Sequence, residues 1–306
     1  MNHNYLISEW TEKDSEYIFG VVGNFCVRNQ LHGSDGLPGL LNFVKKLYRE
    51  KTYMQEPALV KSFGEIAYSL WALDKLGHIS FADAVAQNFK KGGDFGDTCR
   101  GGNYFRNFEL QLEIGLRFIE AGFSVREGGN GEPDYIIESN QFVVEVKAPA
   151  SKIALIQDVI KAVKQIEASG KKGVIVLVLD HMVARGMIQE SMEELPELIK
   201  EQILSVLPTG EDFNTIGVIV EWVKWDETSK HPSTITPIMN NQMYSKPENI
   251  EIIKTVWQSL CIEDITTFSI HFSDARVQFD YSINRLSDLD PSEAGKEFYE
   301  RLWGQI

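Results

Sequence analysis

Cysteine is scarce in this 306-residue chain: Cys26, Cys99 and Cys261 are the whole complement, widely spaced and without a CxxC pair. An odd, scattered set of thiols excludes a disulfide framework and a cysteine-built zinc site, and fits reduced thiols in a cytoplasmic protein. Long apolar runs are also missing. The longest candidate, Gly173 to Leu179, is strand-sized, whereas a membrane span needs about 20 residues, so no membrane partner is expected. The opening MNHNYLISEW has no basic segment followed by an apolar one, and no secretory leader is expected. Nor is there a surplus of basic residues. With 30 Lys and Arg against 44 Asp and Glu, the formal charge is −14, which excludes a non-specific nucleic-acid coat protein. The six histidines do not cluster, and neither a GxSxG elbow nor a Ser-His-Asp spacing occurs. No internal repeat is visible. What is present is 43% hydrophobic and 24% charged residues, the balance of a globular protein that buries a core.

The charge is not evenly spread. Residues 100 to 175 hold ten acids and ten bases, so the whole negative surplus lies outside that stretch. An enzyme that grips nucleic acid in one local groove remains compatible with such a distribution.

The first hundred residues have helical spacing. Thr11 to Asp14 offers a cap, followed by Tyr17, Ile18, Val21, Val22 and Phe25. Leu41, Val44, Leu47 and Tyr48 mark a second helix. Leu59 to Leu73 marks a third, stopped by Gly77, and Ser80 with Asp83 opens a fourth. The glycine-rich stretch Gly92 to Gly102 reads as a linker. The pattern then changes to a helix from Tyr104 to Ala121 ending at Gly122, and short strands at Phe123–Val125, Asp134–Glu138 and Phe142–Lys147. Ser151 caps a helix to Ala168 that Gly170 closes, with an apolar side at Ile156, Val159, Val163 and Ile166. GVIVLVL (Gly173–Leu179) reads as a doubly buried strand. A helix near Gln189–Leu207 and a strand at Ile216–Val223 follow. Asp226 to Lys246 reads as a loop, with helices at Ile250–Leu260 and after Pro291, and alternating strands around Phe268–Phe272 and Val277–Tyr281. The order predicts an α/β core (α+β overall) with a mixed sheet. Expected domains are a helical one at 1–98, the core at 99–226 and a C-terminal extension packing on it at 227–306.

Chemistry concentrates in the segment Glu132–Pro149. Period-two alternation puts Glu145 and Lys147 on one face of their strand, and Val144 and Val146 on the other. A Ser139-Asn140 turn folds the strand bearing Asp134 alongside. Two carboxylates and one ammonium then meet at the end of a hairpin between apolar strands. Paired buried acids resist joint ionisation unless a cation neutralises them. A hard divalent ion bound through oxygen is the natural partner, Mg²⁺ first and Mn²⁺ as a substitute, with the Val146 carbonyl as a further ligand. Such an ion polarises a phosphodiester and lowers the pKa of water, while Lys147 orients that water or neutralises developing charge.

These residues resemble a known family. Pro133-Asp134, ten intervening residues and Glu145-Val146-Lys147 are similar to the PD-(D/E)XK motif of the restriction-endonuclease-like nuclease superfamily. The order helix, three strands, helix, strand resembles that family's αβββαβ core. The resemblance covers residues 104 to 180, extending at most to 224, and says nothing of either flank. It implies metal-dependent phosphodiester hydrolysis, with Asp134 and Glu145 as Mg²⁺ ligands and Lys147 as the catalytic lysine.

Family members often carry a Glu in the helix before the hairpin. Glu109 and Glu113, one turn apart beside Leu112 and Leu116, both qualify, with Glu113 the nearer to the helix end. A Gln in the helix after the ExK strand is also common, and Gln165 fits, sharing a face with Asp158 and Lys161. Lys152, Lys161, Lys164, Lys171 and Lys172 are candidates for a nucleic-acid-binding rim. Trp222 and Trp225 follow the last core strand, where Trp222 reads as core. The expected function is a Mg²⁺-dependent nuclease acting on nucleic acid, DNA before RNA, in phage defence, restriction or repair. The rivals are an idle nuclease-like module that binds protein, and a subunit of a larger nuclease assembly. A protein partner or a second copy would engage through the N-terminal helical domain.

Overall fold

The structure, a computed structural model, describes residues 5–6, 12–33, 36–52, 57–88, 103–129, 131–138, 142–179, 182, 187, 197–208, 213–225, 234–235, 237–245, 256, 268–271 and 276–279. The linker read at Gly92 to Gly102, the Ser139-Asn140 turn, the helix start at Gln189 and the helix after Pro291 lie outside them. Of the helix read at Ile250–Leu260, Val256 alone lies inside. By contact the chain groups into two units: residues 2–116 with 226–236 and 290–306, and residues 117–225 with 237–289.

The first unit is helical. It contains α1 (Glu12–Arg28), α2 (Gly36–Glu50), α3 (Pro57–Lys75), α4 (Ile79–Asn88) and the first part of α5 (Asn103–Glu120). Residues at helical spacing, among them Ile18, Val22, Leu40, Val44, Phe63, Ile66 and Leu70, form its buried interior. Asp83 ties α4 to the end of α1 by accepting from Arg28 at 3.0 Å and from Asn29 at 2.8 Å. A short pairing of β1 (Tyr5–Leu6) with Thr234–Ile235 belongs to the same unit.

The second unit is an open mixed sheet with helices, so the chain is α+β. Its centre is β2 (Val125–Glu127), β3 (Tyr135–Ile137), β4 (Phe142–Lys147), β5 (Lys172–Val178) and β6 (Thr215–Trp225). β2, β3 and β4 are antiparallel neighbours, and β4, β5 and β6 are parallel. The parallel pair β4–β5 is joined by α6 (Lys152–Ser169), and β5 is joined to β6 through α7 (Glu197–Val206). From Gly173 on, both faces of β5 are buried, which is why its sequence is apolar after Lys172.

Local signals explain the helix ends. Ser151 Oγ accepts from Ala154 N at 3.1 Å and starts α6, and Gly170 caps it with φ +66°. The end of α5 corrects the strand read at Phe123. Gly122 N donates to Ile119 O and Phe123 N to Phe118 O, the paired bonds of a Schellman stop. The Phe123 ring then packs on Phe118 and Phe142, and the strand starts only at Val125. The loop read from Asp226 to Lys246 is a second correction. Thr234–Ile235 form β7, and Pro237–Ser245 form β8, antiparallel to β6 over the pairs from Gly217–Ser245 to Trp225–Pro237. Pairing along the whole of β6 outweighs the weak strand propensity of Asn240 and Asn241. β9 (Phe268–His271) and β10 (Arg276–Phe279) continue the sheet, as their alternation predicts.

Ile136, Val143, Ile175, Leu177, Val218 and Val220 face α6 and α7 and form one continuous core with Leu155, Val159, Ala162 and Ile166. The buried stripe of α6 therefore runs through Leu155 and Ala162, where Ile156 and Val163 were expected. Among the described residues no helix is long and apolar enough to cross a membrane.

The seat of α6 on the sheet depends on Gly173. A Cβ there would lie 2.5 Å from Ile166 Cγ2 and 2.8 Å from Val143 Cγ2. Both neighbours are core side chains with nowhere to retreat. Gly173→Ala is expected to lower the unfolding free energy by about 2 kcal/mol in urea titration, the usual cost of overpacking. An unchanged midpoint would show that α6 is not seated this closely.

Candidate active site

The site grows from a mismatch in strand length. The β3–β4 ladder ends at the pair Tyr135–Val144, so β4 runs on through Glu145, Val146 and Lys147 beyond the start of β3. Backbone groups on that side of β4 need other partners. Asp134 supplies one: its Oδ2 accepts from Val146 N at 2.8 Å. Glu145 returns the contact, accepting from Asp134 N through Oε2 at 2.9 Å. Two carboxylates are thus locked together, each holding the backbone of the other's neighbourhood. The N–H and C=O of one strand residue point to the same side. The Val146 carbonyl therefore opens towards Asp134, as a ligand there would require.

Glu145 and Lys147 share the strand face of Val143, which is the face that α6 covers. Glu145 is 0% exposed. Its Oε1 accepts from Lys147 Nζ, and only 13% of the Lys147 side chain is exposed. Burial, reinforced by the neighbouring Asp134 charge, pushes the Glu145 carboxyl up to about 7 against the pull of Lys147. Lys147 is raised as well, which in its case favours the charged form. Burial disfavours its ammonium, but Asp134 and Glu145 together outweigh that and hold it above the ordinary lysine range. It is a fixed cation at neutral pH.

The loop that delivers Asp134 is pinned at several points. A Cβ on Gly128 would fall 1.8 Å from the Pro133 carbonyl, so the loop can close only around glycine. Gly128 N donates to Asp134 O at 2.9 Å, and Glu132 Oε2 accepts from Gly129 N at 2.8 Å and from Arg126 at 3.1 Å. Gln165 reaches over from α6, its amide donating to the Glu132 carbonyl at 3.1 Å. The expected site glutamine therefore touches the loop two residues before Asp134 rather than the carboxylates themselves.

The remaining candidates are distributed as follows. Glu109 is buried, 2% exposed, and Glu113 is half-buried. Both lie on the part of α5 that groups with the helical unit. No group of three or more His, Cys, Asp or Glu side chains converges among the described residues. Lys152, Lys161 and Lys164 are exposed along α6. Lys172 is also exposed but donates to the Phe213 carbonyl at 3.1 Å, which ties it to the start of β6. Trp222 and Trp225 belong to β6, and their side chains lie outside the described ones.

Sequence reasoning placed Asp158 on the α6 face but gave it no role. It is half-buried, and burial raises its carboxyl while Lys147, and less strongly Lys161, pull it back. The signal was available: Asp158 precedes Gln165 by seven residues, two helical turns.

Compared with protein-family models, with curated proteins and with solved structures, the chain matches none of them.

The buried pair makes stability depend on pH. Between pH 4.5 and about 7 the folded protein keeps a proton on Glu145 that the unfolded chain has released. Stability from this group is therefore greatest below that window, falls as pH rises through it and stays low above it, a loss on the order of 3 kcal/mol. Lys147 titrates above the window and does not offset it. In EDTA, Glu145→Gln is expected to melt higher than the natural chain at pH 8 and to match it near pH 5. A difference in melting temperature that does not change with pH would remove the buried charge as its cause.

Proposed function

We propose that the chain is a metal-dependent nuclease of the PD-(D/E)XK kind, hydrolysing phosphodiester bonds of nucleic acid. One observation carries this reading: Asp134, Glu145 and the Val146 carbonyl gather oxygen donors at the open end of β3–β4, beside a buried ammonium. The donor set fits a hard divalent cation, Mg²⁺ or Mn²⁺, which takes oxygen ligands and retains several waters. The local charge fits as well, since burial and then the Asp134 charge push the Glu145 carboxyl up, and a bound cation would oppose both. When bound, such an ion would polarise the phosphodiester and lower the pKa of water.

The chain's own residues supply the rest. Asp134 and Glu145 would hold the ion. Glu145 already sits without rotamer freedom, fixed through Oε2 to the Asp134 backbone. Before an ion binds, Asp134 and Glu145 hold Lys147 as an ammonium. Its Nζ would orient the attacking water in line with the leaving oxygen, or balance negative charge growing on the phosphate. Gln165 and the Arg126–Glu132 pair keep the Asp134 loop from drifting. The exposed Lys152, Lys161 and Lys164 offer phosphate contacts along α6, DNA being the first substrate to test. A protein partner or second copy on the helical domain belongs to the same reading.

A second reading has one observation in its favour. Each carboxylate already satisfies a backbone N–H and Glu145 holds Lys147, so the group is closed without an ion. On that reading the cluster is a charged staple in a protein-binding module.

Purified protein incubated with single- and double-stranded DNA and RNA, in Mg²⁺ or Mn²⁺ against EDTA, separates the two. Cleavage that needs the divalent ion is expected. Asp134→Ala and Glu145→Ala should each reduce it at least about 100-fold and abolish the calorimetric heat of Mg²⁺ binding. Lys147→Ala should keep that heat and lose turnover, because an ammonium cannot ligate a cation. No cleavage of any substrate, with a melting temperature indifferent to Mg²⁺, decides for the staple.

A further inference from the structure

Lys147 is buried on a sheet face where its charge needs an anion. Without an ion it has two, Asp134 and, in direct contact, Glu145. A cation held by Asp134 and Glu145 draws on both of these carboxylates, and a buried ammonium stripped of its partners is strongly disfavoured.

A third acid stands opposite. Asp158 lies in the second turn of α6, half-buried, and α6 packs against β4 on the face of Val143, Glu145 and Lys147. Two turns on, along the same side of the helix, Gln165 grips the Glu132 carbonyl beside the Asp134 loop. One helical stripe therefore spans the site, with Asp158 towards Lys147 and Gln165 at the loop. Lys161 is a single turn from Asp158 on its own helix, yet Lys147 acts on the Asp158 carboxyl more strongly. The other charged groups are accounted for: Glu132 pairs with Arg126, and Glu167 accepts from Asn214 N and Thr215 at the start of β6.

We propose, resting on the metal reading above, that Asp158 is a positioning residue, which takes over the Lys147 ammonium from Glu145 when a divalent cation binds and so keeps Nζ turned into the site. The ion pair thereby changes partner instead of breaking. Lys147 is never released to solvent, and Glu145 is freed for the ion without leaving a buried charge uncompensated.

A double-mutant cycle tests this through stability, independently of turnover. Asp158→Asn, Lys147→Met and the double variant are unfolded in urea, in EDTA and in saturating Mg²⁺, with Mg²⁺ affinity measured by calorimetry. The coupling between the two positions is expected to be about tenfold larger, as an equilibrium constant, in Mg²⁺ than in EDTA. In cleavage assays Asp158→Asn should lower kcat about tenfold with KM for the nucleic acid kept, its Mg²⁺ affinity should fall by about the same factor as the coupling requires, and Asp158→Glu should recover most of both. Equal coupling in both conditions, with Mg²⁺ heat intact in the natural chain, overturns the proposal and leaves the metal reading standing. Loss of Mg²⁺ affinity on Asp158→Asn that is equally large in the Lys147→Met background also overturns it, by making Asp158 a ligand. Absence of Mg²⁺ heat in the natural chain overturns both.

Discussion

The mutual hold of Asp134 and Glu145 is the constraint on which the sheet unit is organised. Each carboxylate accepts a backbone N–H beside the other, so neither can move without opening the end of the β3–β4 pair. Two acids this close, one of them wholly buried, repel each other and lose hydration together. Lys147 is the compensation that the chain itself carries. The rest of the unit serves to keep that group dry and aligned. α6 lies over it because Gly173 lets Ile166 and Val143 close against the strand. The Asp134 loop is held at Gly128, Glu132 and the Gln165 amide. A merely structural role would be met with less: a serine or asparagine in place of Asp134 could cap the Val146 N–H without adding charge to the core.

Much of this was legible in the sequence where the signal was local. Period-two alternation placed Glu145 and Lys147 on one face, and two short apolar runs close in sequence predicted the antiparallel pair that brings Asp134 alongside. Ser151 and Gly170 gave the limits of α6 because capping chemistry depends on neighbours three or four residues away. The apolar run Gly173–Leu179 read as a strand covered on both sides, and β5 is buried on both faces from Gly173 on.

What escaped was decided at long range. Phe123 has strand propensity, but the Schellman stop of α5 claims it, and its ring is better buried against Phe118 and Phe142. Residues 237–245 look like a polar loop, and they become a strand only because the edge of β6 offers a full row of partners. The α6 stripe was misplaced by one position because the small Ala162 is wholly buried while the larger Val163 is only half-buried. Asp158 was visible as a face-mate of Gln165, but nothing in one dimension revealed that the Lys147 charge acts on it. The order of strands, with β4 between antiparallel β3 and parallel β5, is likewise a property of the assembled sheet.

The position of the group within the sheet follows from the same mismatch that creates it. At a strand end, backbone donors and acceptors are left over, and at the junction of an antiparallel and a parallel pair they are left over on one side only. Val146 shows both halves: its N–H is taken by Asp134, and its carbonyl opens to the same side. A carboxylate that caps the donor is thereby brought next to an acceptor that wants a cation. Glu145 is then divided between its oxygens, Oε2 bound to backbone and Oε1 to Lys147. Only the second can be exchanged without unravelling the strand end. Any cation entering this group must therefore compete with Lys147 and leave the backbone cap in place, so that occupancy of the site and the position of the lysine are one equilibrium.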